Sequence, residues 1–277
     1  MKKLNQLHFS FGPSLSAQHQ AFFRQNGILH FKHFVSKEMV CLLLHEVEKV
    51  QHYFICNGIQ KVNGVPLLYG KDVNEEPLIQ RMAFASCYSE MLSSFLKDPR
   101  LNSILQLLSP YEGRIAEDEK DGLVVNHYVN TRTSSFTKLG WHTDCPRDLF
   151  TGHRILPMLN VGLHLDDCPY HNGGLRVLPG THHQGLFRLL FRKKYFIDNH
   201  PDENEVGFDI EAGDLTIHDG RLWHRVQQSP YEGEKSRRRV MYIPIITGAY
   251  KPKHARSATP FYLRLFRLKN RLLRRCF

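Results

Sequence analysis

The sequence has no long hydrophobic run. Its longest uninterrupted apolar stretch, residues 39–44, is six residues, against the roughly 20 needed for a helix to cross a bilayer. A multi-span membrane protein is therefore excluded. The six cysteines, at 41, 56, 87, 145, 168 and 276, include no C-x-x-C pair and no dense spacing. Reduced thiols in a cytoplasmic protein are expected rather than a disulfide framework. The opening Met1-Lys2-Lys3-Leu4 has the positive end of a secretion signal but no apolar core behind it. There is no Gly-rich phosphate loop, no strand–helix alternation, no internal repeat and no low-complexity tract. Nucleotide-binding α/β folds are thereby disfavoured. At 42% apolar residues the chain is too hydrophobic for disorder. Its 277 residues can bury a substantial core, as one large domain or two small ones.

Acids are also missing from one end. Beyond Glu234 there are 13 Lys and Arg and no Asp or Glu, whereas up to Glu234 there are 24 against 27. The formal net charge of +10 is thus a property of the tail, and the remainder is slightly acidic.

What is present reads as helices followed by β structure. Ser16 is a candidate N-cap for a helix to about Asn26, ended by Gly27, with a short strand at 28–31. Ser36 can cap a second helix, on which Met39, Val40, Leu43, Leu44, Val47 and Val50 recur at helical spacing. Further helices are expected at 86–96 and 99–108. From about Gly122, short β-rich runs at 123–129, 159–165, 174–178, 214–218 and 240–246 alternate with Gly, Pro, Asn and Asp. That texture predicts an antiparallel barrel or sandwich.

Three H-x-D pairs occur: His142/Asp144, His164/Asp166 and His200/Asp202. About one is expected by chance in such a composition. Side chains at i and i+2 of a strand point the same way, so each pair could present an imidazole beside a carboxylate. A second histidine from a neighbouring strand would complete a 2-His-1-carboxylate face that holds Fe(II) with positions left open. His224, in Arg221-Leu222-Trp223-His224, is the natural partner for the first pair. His164 lies in an apolar run and reads as packed or pocket-lining. His200/Asp202 sits in a polar loop and reads as solvated.

The text around the first pair resembles the phytanoyl-CoA dioxygenase family of Fe(II)/2-oxoglutarate oxygenases. Trp141-His142-Thr143-Asp144 is similar to the family's W-H-x-D block. Leu165-Asp166-Asp167, then Asn172-Gly173-Gly174-Leu175-Arg176-Val177-Leu178-Pro179-Gly180-Thr181-His182, match its next. Ala212-Gly213-Asp214 matches the segment before the distal histidine, His224. The resemblance runs from about Ser16 to Ile246. It implies a mainly β fold, a double-stranded β-helix (jelly roll, cupin-like) with flanking helices. It also implies iron held by His142, Asp144 and His224, with 2-oxoglutarate and O2 as cosubstrates. Related halogenases lack the carboxylate, so Asp144 favours hydroxylation.

The family places an arginine about a dozen residues after the distal histidine to bind the far carboxylate of 2-oxoglutarate, a role suited to a guanidinium fork. Arg237, Arg238 and Arg239 are all candidates. Strand alternation sets Arg238 apart from its neighbours, and the branched Val240 two places on selects Arg238, the other two then being solvated. Two positions depart from the family pattern. Val226 stands where a serine commonly contacts the cosubstrate, and Thr143 where Gln is frequent. Asn126 and Tyr128, on the preceding strand, are candidate replacements.

Residues 1–250 are thus expected to form the oxygenase domain, with its β-core from about 122, and 251–277 a basic amphipathic segment. From Thr259 and Pro260, a helical wheel gathers Phe261, Tyr262, Leu265, Phe266, Leu268, Leu272, Leu273, Cys276 and Phe277 on one face. Arg264, Arg267, Arg271, Arg274 and Arg275 fall on the other. Such a helix can lie on an anionic membrane, each cation adding about 1 kcal/mol. It can also pack on the domain, or bind nucleic acid, although no recognition motif accompanies the charge. Docking would place the enzyme on the inner face of the cytoplasmic membrane. There an amphiphilic anionic substrate would suit it, such as the octulosonic acid sugar of lipopolysaccharide. Arg147, Arg154, Arg176, Arg188, Arg192, Lys193 and Lys194 could form a basic pocket rim for its phosphates and carboxylates. A fatty acyl-CoA, a soluble metabolite, and a non-enzymatic metal-binding module recruited to membranes are the alternatives.

Overall fold

A computed structural model of the chain describes residues 8–134, 136–145 and 155–260. The expected C-terminal helix, with Arg147 and Arg154 of the expected rim, lies outside these residues.

The chain opens with β1 (Phe9–Ser10) and α1 (Ala17–Asn26). Ser16 Oγ accepts from the His19 backbone N–H, while His19 Nδ1 accepts from that of Ser16. These reciprocal bonds satisfy two otherwise orphaned donors at the helix start. Gly27, at φ +74°, ends α1 in the left-handed region. A Cβ there would stand 2.5 Å from His182 Nδ1, so glycine is needed on two counts. β2 (Ile28–Lys32) and α2 (Lys37–Cys56) follow. α2 buries Val40, Leu43, Val47, Val50 and Phe54, and leaves Met39 exposed.

β structure begins earlier than residue 122. β3 (Lys61–Val62), β4 (Val65–Pro66), β5 (Leu68–Lys71) and β6 (Pro77–Met82) precede the next helices, and β5–β6 extends the main sheet. The expected helix at 86–96 is a 3-10 turn, Ala85–Tyr88, then α3 (Glu90–Leu96). Ser89 is extended and accepts from the Leu92 N–H, so it breaks the run and caps the second half. α4 (Pro99–Ile104) likewise passes into a 3-10 turn. The remaining elements are β7 (Arg114–Ile115), β8 (Val124–Asn130), β9 (Leu139–His142), β10 (Met158–His164), β11 (Gly174–Val177), α5 (Leu186–Phe191), β12 (Val206–Gly207), β13 (Leu215–Asp219), β14 (His224–Gln227) and β15 (Gly233–Ile246).

Among the described residues, the large sheet runs β1-β2-β13-β10-β15-β8-β6-β5, with β7 also on β15. The small sheet runs β12-β11-β14-β9. Alternation divides the large sheet cleanly. Val125, Leu159, Val161, Leu163, Leu215, Ile217, Met241, Ile243 and Ile245 join the main hydrophobic core with the buried residues of α2, α3 and α4. Their neighbours Asn126, Tyr128, Asn160, Thr216, His218, Arg238 and Tyr242 point the other way, toward the small sheet. Tyr128 of the large sheet packs with Val226 of the small one, so the space between the sheets is closed at that end. This is the jelly roll that the sequence predicts.

Candidate metal centre

His142 ends β9, Asp144 follows it two residues later, and His224 begins β14. Antiparallel pairing sets His224 directly opposite His142. One ligand atom from each of His142, Asp144 and His224 lies within 4.8 Å of the others. His142 Nε2 is 3.9 Å from Asp144 Oδ1, and His224 Nε2 is 3.9 Å from Asp144 Oδ2.

The imidazoles are prepared as ligands. His142 Nδ1 donates to the Gly140 carbonyl (2.8 Å) and His224 Nδ1 to that of Leu222 (2.9 Å). Each ring therefore carries its proton on Nδ1 and turns the Nε2 lone pair toward Asp144. Burial lowers the pKa of both histidines, that of His224 well below its ordinary value, keeping both neutral and able to coordinate. Burial opposes a charge on Asp144, but His224, His218 and His142 outweigh it and hold the carboxyl below its usual range.

Two further residues brace the carboxylate. Asn160 Nδ2 donates to Asp144 Oδ2 at 3.3 Å. His218 Nε2 lies 3.5 Å from the same oxygen, and its ring centre is 4.4 Å from that of His224. His218 is buried, and among the described residues its ring makes no shorter polar contact than this one. It was visible in sequence only as an apolar-run histidine six residues before His224.

The other two H-x-D pairs are not brought here. His164 is buried in the large sheet, with Nε2 3.1 Å from Thr216 Oγ1. Asp166 instead binds Arg239 through its backbone N–H, Nε and Nη2. His200 is exposed, and Asp202 pairs with Lys193.

Arg238 is buried in the same interior, opposite Tyr128 on β8. Its Nη1 donates to the Gln227 carbonyl (2.8 Å) and Nη2 to that of Thr137 (3.3 Å), while Nε has no partner among the described residues. Among the described residues it makes no ion pair. A guanidinium removed from water is costly unless its charge is met, so a carboxylate would fit beside it. Asn126 Nδ2 donates to the Tyr128 hydroxyl (3.2 Å), and the Arg238 guanidinium lies 5.6 Å from the Tyr128 ring centre. Burial pushes Tyr128 up to about 12, so its hydroxyl keeps its proton. The expectation that Arg237 and Arg239 are both solvated fails for Arg239, which Asp166 and Glu48 engage. Arg237 pairs with Glu234 near the surface.

The departures from the family pattern are accommodated locally. Val226 packs with Tyr128 and Phe136. Thr143 Oγ1 shares a 2.6 Å hydrogen bond with Tyr195, whose hydroxyl also donates to the Leu189 carbonyl. Phe196 stacks on His142, with ring centres 4.7 Å apart.

The expected basic rim is not continuous. Arg176 is buried, donates to the carbonyls of Gly173, Leu175 and Tyr170, and stacks on Tyr170. It is on the outer face of the small sheet because it alternates with Leu175 and Val177, which face inward. Arg225 beside it is bound by Glu205.

A jelly roll with a 2-His-1-carboxylate face and open coordination positions defines a non-haem iron oxygenase. The phytanoyl-CoA dioxygenase (PhyH) family model matches residues 23–237, and the chain belongs to that family of iron- and 2-oxoglutarate-dependent oxygenases. Several solved structures are similar. SnoK, a non-haem α-ketoglutarate-dependent carbocyclase from nogalamycin biosynthesis, aligns at 17% identity and TM-score 0.61 over 91% of both chains. EvdO2 from Micromonospora carbonacea var. aurantiaca, complexed with 2-oxoglutarate, aligns at 16% and 0.58 over 87% of this chain and 95% of that one. HygX from Streptomyces hygroscopicus, with iron bound, aligns at 14% and 0.59 over 87% and 90%. At these identities the likeness is one of fold. No curated protein matches the chain. The triad, with its Nδ1 protons already engaged, suits the iron, and the Arg238 guanidinium, without an ion pair among the described residues, suits the dicarboxylate. No helix among the described residues is long and apolar enough to cross a membrane.

Proposed function

We propose that the chain hydroxylates an unactivated C–H bond of an anionic, membrane-associated lipid or lipid-linked sugar, of the kind represented by the octulosonic acid of lipopolysaccharide. The observation that carries the chemistry is the Asp144 carboxylate retained between two neutral imidazoles. The substrate class rests on the acid-free segment 251–277, whose nine Lys and Arg suit an anionic surface. Residues 1–250 act as the oxygenase domain and 251–277 as the segment that holds it at the inner face of the cytoplasmic membrane.

The overall reaction consumes R–H, 2-oxoglutarate and O2 and yields R–OH, succinate and CO2. Bound iron supplies the O2 chemistry that couples the two oxidations. The protein positions the partners and keeps the site dry. His142 and His224 offer Nε2, and their backbone-anchored Nδ1 protons fix the ring orientation. Asn160 and His218 hold Asp144 at Oδ2. Arg238 receives the distal carboxylate of 2-oxoglutarate, and Tyr128, already accepting from Asn126, has its own O–H left to donate. Val226, Phe136 and Tyr128 wall off that end from water.

The test is succinate release coupled to oxidation of candidate substrates: anionic glycolipids, acyl-CoA thioesters and small acids. Turnover on an anionic glycolipid, abolished in Asp144→Ala, is expected. Turnover on acyl-CoA thioesters or small acids alone would overturn the substrate class, and retained turnover in Asp144→Ala would overturn the chemistry.

A further inference from the structure

α5 and the turn after it expose apolar side chains on an unusual scale. Phe187 is 76% exposed, Phe191 68%, Ile197 63% and Leu186 57%. The rings of Phe187 and Phe191 lie 5.2 Å apart, so two of the four form one projecting apolar tip. Large apolar groups gathered in so short a segment mark an interaction surface rather than the scattered exposure normal for a protein.

The charge around the tip says what it meets. Arg188, Arg192 and Lys194 are exposed and make no ion pair among the described residues. The nearby acids Asp198 and Asp202 face Lys193, at 4.0 and 2.8 Å. Beside α5 is an open cleft of about 480 Å³, lined by Thr181, His183, Gln184, Arg188 and Arg192 among others. The segment therefore combines an apolar tip with a cationic collar. Residues 251–277, cationic and acid-free, would meet this collar with like charge. An anionic lipid surface complements both.

We infer that 186–197 is a membrane-docking face, with the apolar tip entering the acyl boundary and the collar meeting headgroup phosphates. This surface is coupled to the metal centre. Tyr195 bonds Thr143, and Phe196 stacks on His142. Docking therefore sets the α5 side of the barrel against the bilayer. It rests on the proposed function only for the conclusion that an amphiphilic substrate is delivered there.

The test uses the full chain with vesicles of phosphatidylcholine alone or mixed with phosphatidylglycerol. Wild type should sediment with the mixed vesicles only. Combined Arg188→Gln, Arg192→Gln and Lys194→Gln should weaken binding at least tenfold, since each cation is worth roughly fivefold. Phe187→Trp should keep binding and shift its indole emission to the blue on mixed vesicles. Absence of wild-type binding, undiminished binding by the charge variant, or a water-exposed indole on the vesicle-bound protein would each overturn the inference. Self-association that buries the indole without lipid would assign the face to a second copy instead. Vesicle binding without turnover on any amphiphile would leave the docking face standing and remove only the substrate class.

Discussion

His218 Nε2 stands 3.5 Å from Asp144 Oδ2, so the metal-binding carboxylate is braced from the sheet opposite the one that carries both histidine ligands. The two sheets of the barrel thus meet at one carboxylate. Groups of this kind around a metal site commonly change affinity or activity about 10–100-fold when removed. His218→Ala should weaken iron binding within that range in an anaerobic titration, while leaving the melting temperature of the metal-free protein close to wild type. Unchanged iron affinity would reduce His218 to packing.

Arg238 supplies a second prediction. Truncating one member of a buried charge pair costs about 2–5 kcal/mol. Arg238→Met should therefore raise the KM for 2-oxoglutarate by about 100-fold or more and leave iron affinity nearly unchanged. Arg237→Met, at the Glu234 surface pair, should change neither. Steady-state succinate assays over a range of 2-oxoglutarate concentrations separate the two.

Asp214 is the acid of the Ala212-Gly213-Asp214 segment, and its role is structural. It accepts from His30 Nε2 (2.8 Å) and from the backbone N–H groups of His33 and Glu211 (2.9 Å each), fastening β2 to the start of β13. Breaking a buried pair of this kind costs about 3–5 kcal/mol, so Asp214→Ala should lower the melting temperature by roughly 10 °C. Iron and 2-oxoglutarate binding below that temperature should persist.

Acid should destabilise the fold before the carboxylates titrate. Burial, the first cause in both cases, drives His127 and His164 from the ordinary 6.5 down to about 3. Between these values the unfolded chain binds protons that the folded chain refuses. Stability therefore rises with pH across that window, is complete above about 6.5, and is lost as pH falls. Each histidine contributes a slope of about 1.4 kcal/mol per pH unit. Melting temperatures of the metal-free protein should fall from pH 6.5 to 4, and His164→Gln should flatten the decline. An identical slope in the variant would contradict the assignment.

The legible parts were those where chemistry and spacing coincide along the chain. Ser16, Gly27 and Ser36 mark helix ends by local bonding and backbone sign. The ordered motifs around His142 and His224 carry the metal face. The hairpins at 61–82 were missed because Gly64, Pro66, Gly70 and a run of polar residues interrupt their alternation. His218 and Asn160 could not be read, since what matters is their approach to Asp144 across the barrel. Arg176 looked like a surface cation because nothing in its neighbourhood announces the loop and Glu205 that bury it.

The position of β15 bears on how the enzyme comes into being. This strand, ending at Ile246, lies between β10 and β8 in the middle of the large sheet and brings Arg238 into the barrel. During synthesis, every earlier strand must wait for it before the sheet can close. Contacts so distant in sequence make for slow folding. A chain interrupted before residue 246 would have a slot where its central strand belongs. The iron ligands precede that strand and Arg238 arrives with it, so the interior between the two sheets is complete only once β15 has paired.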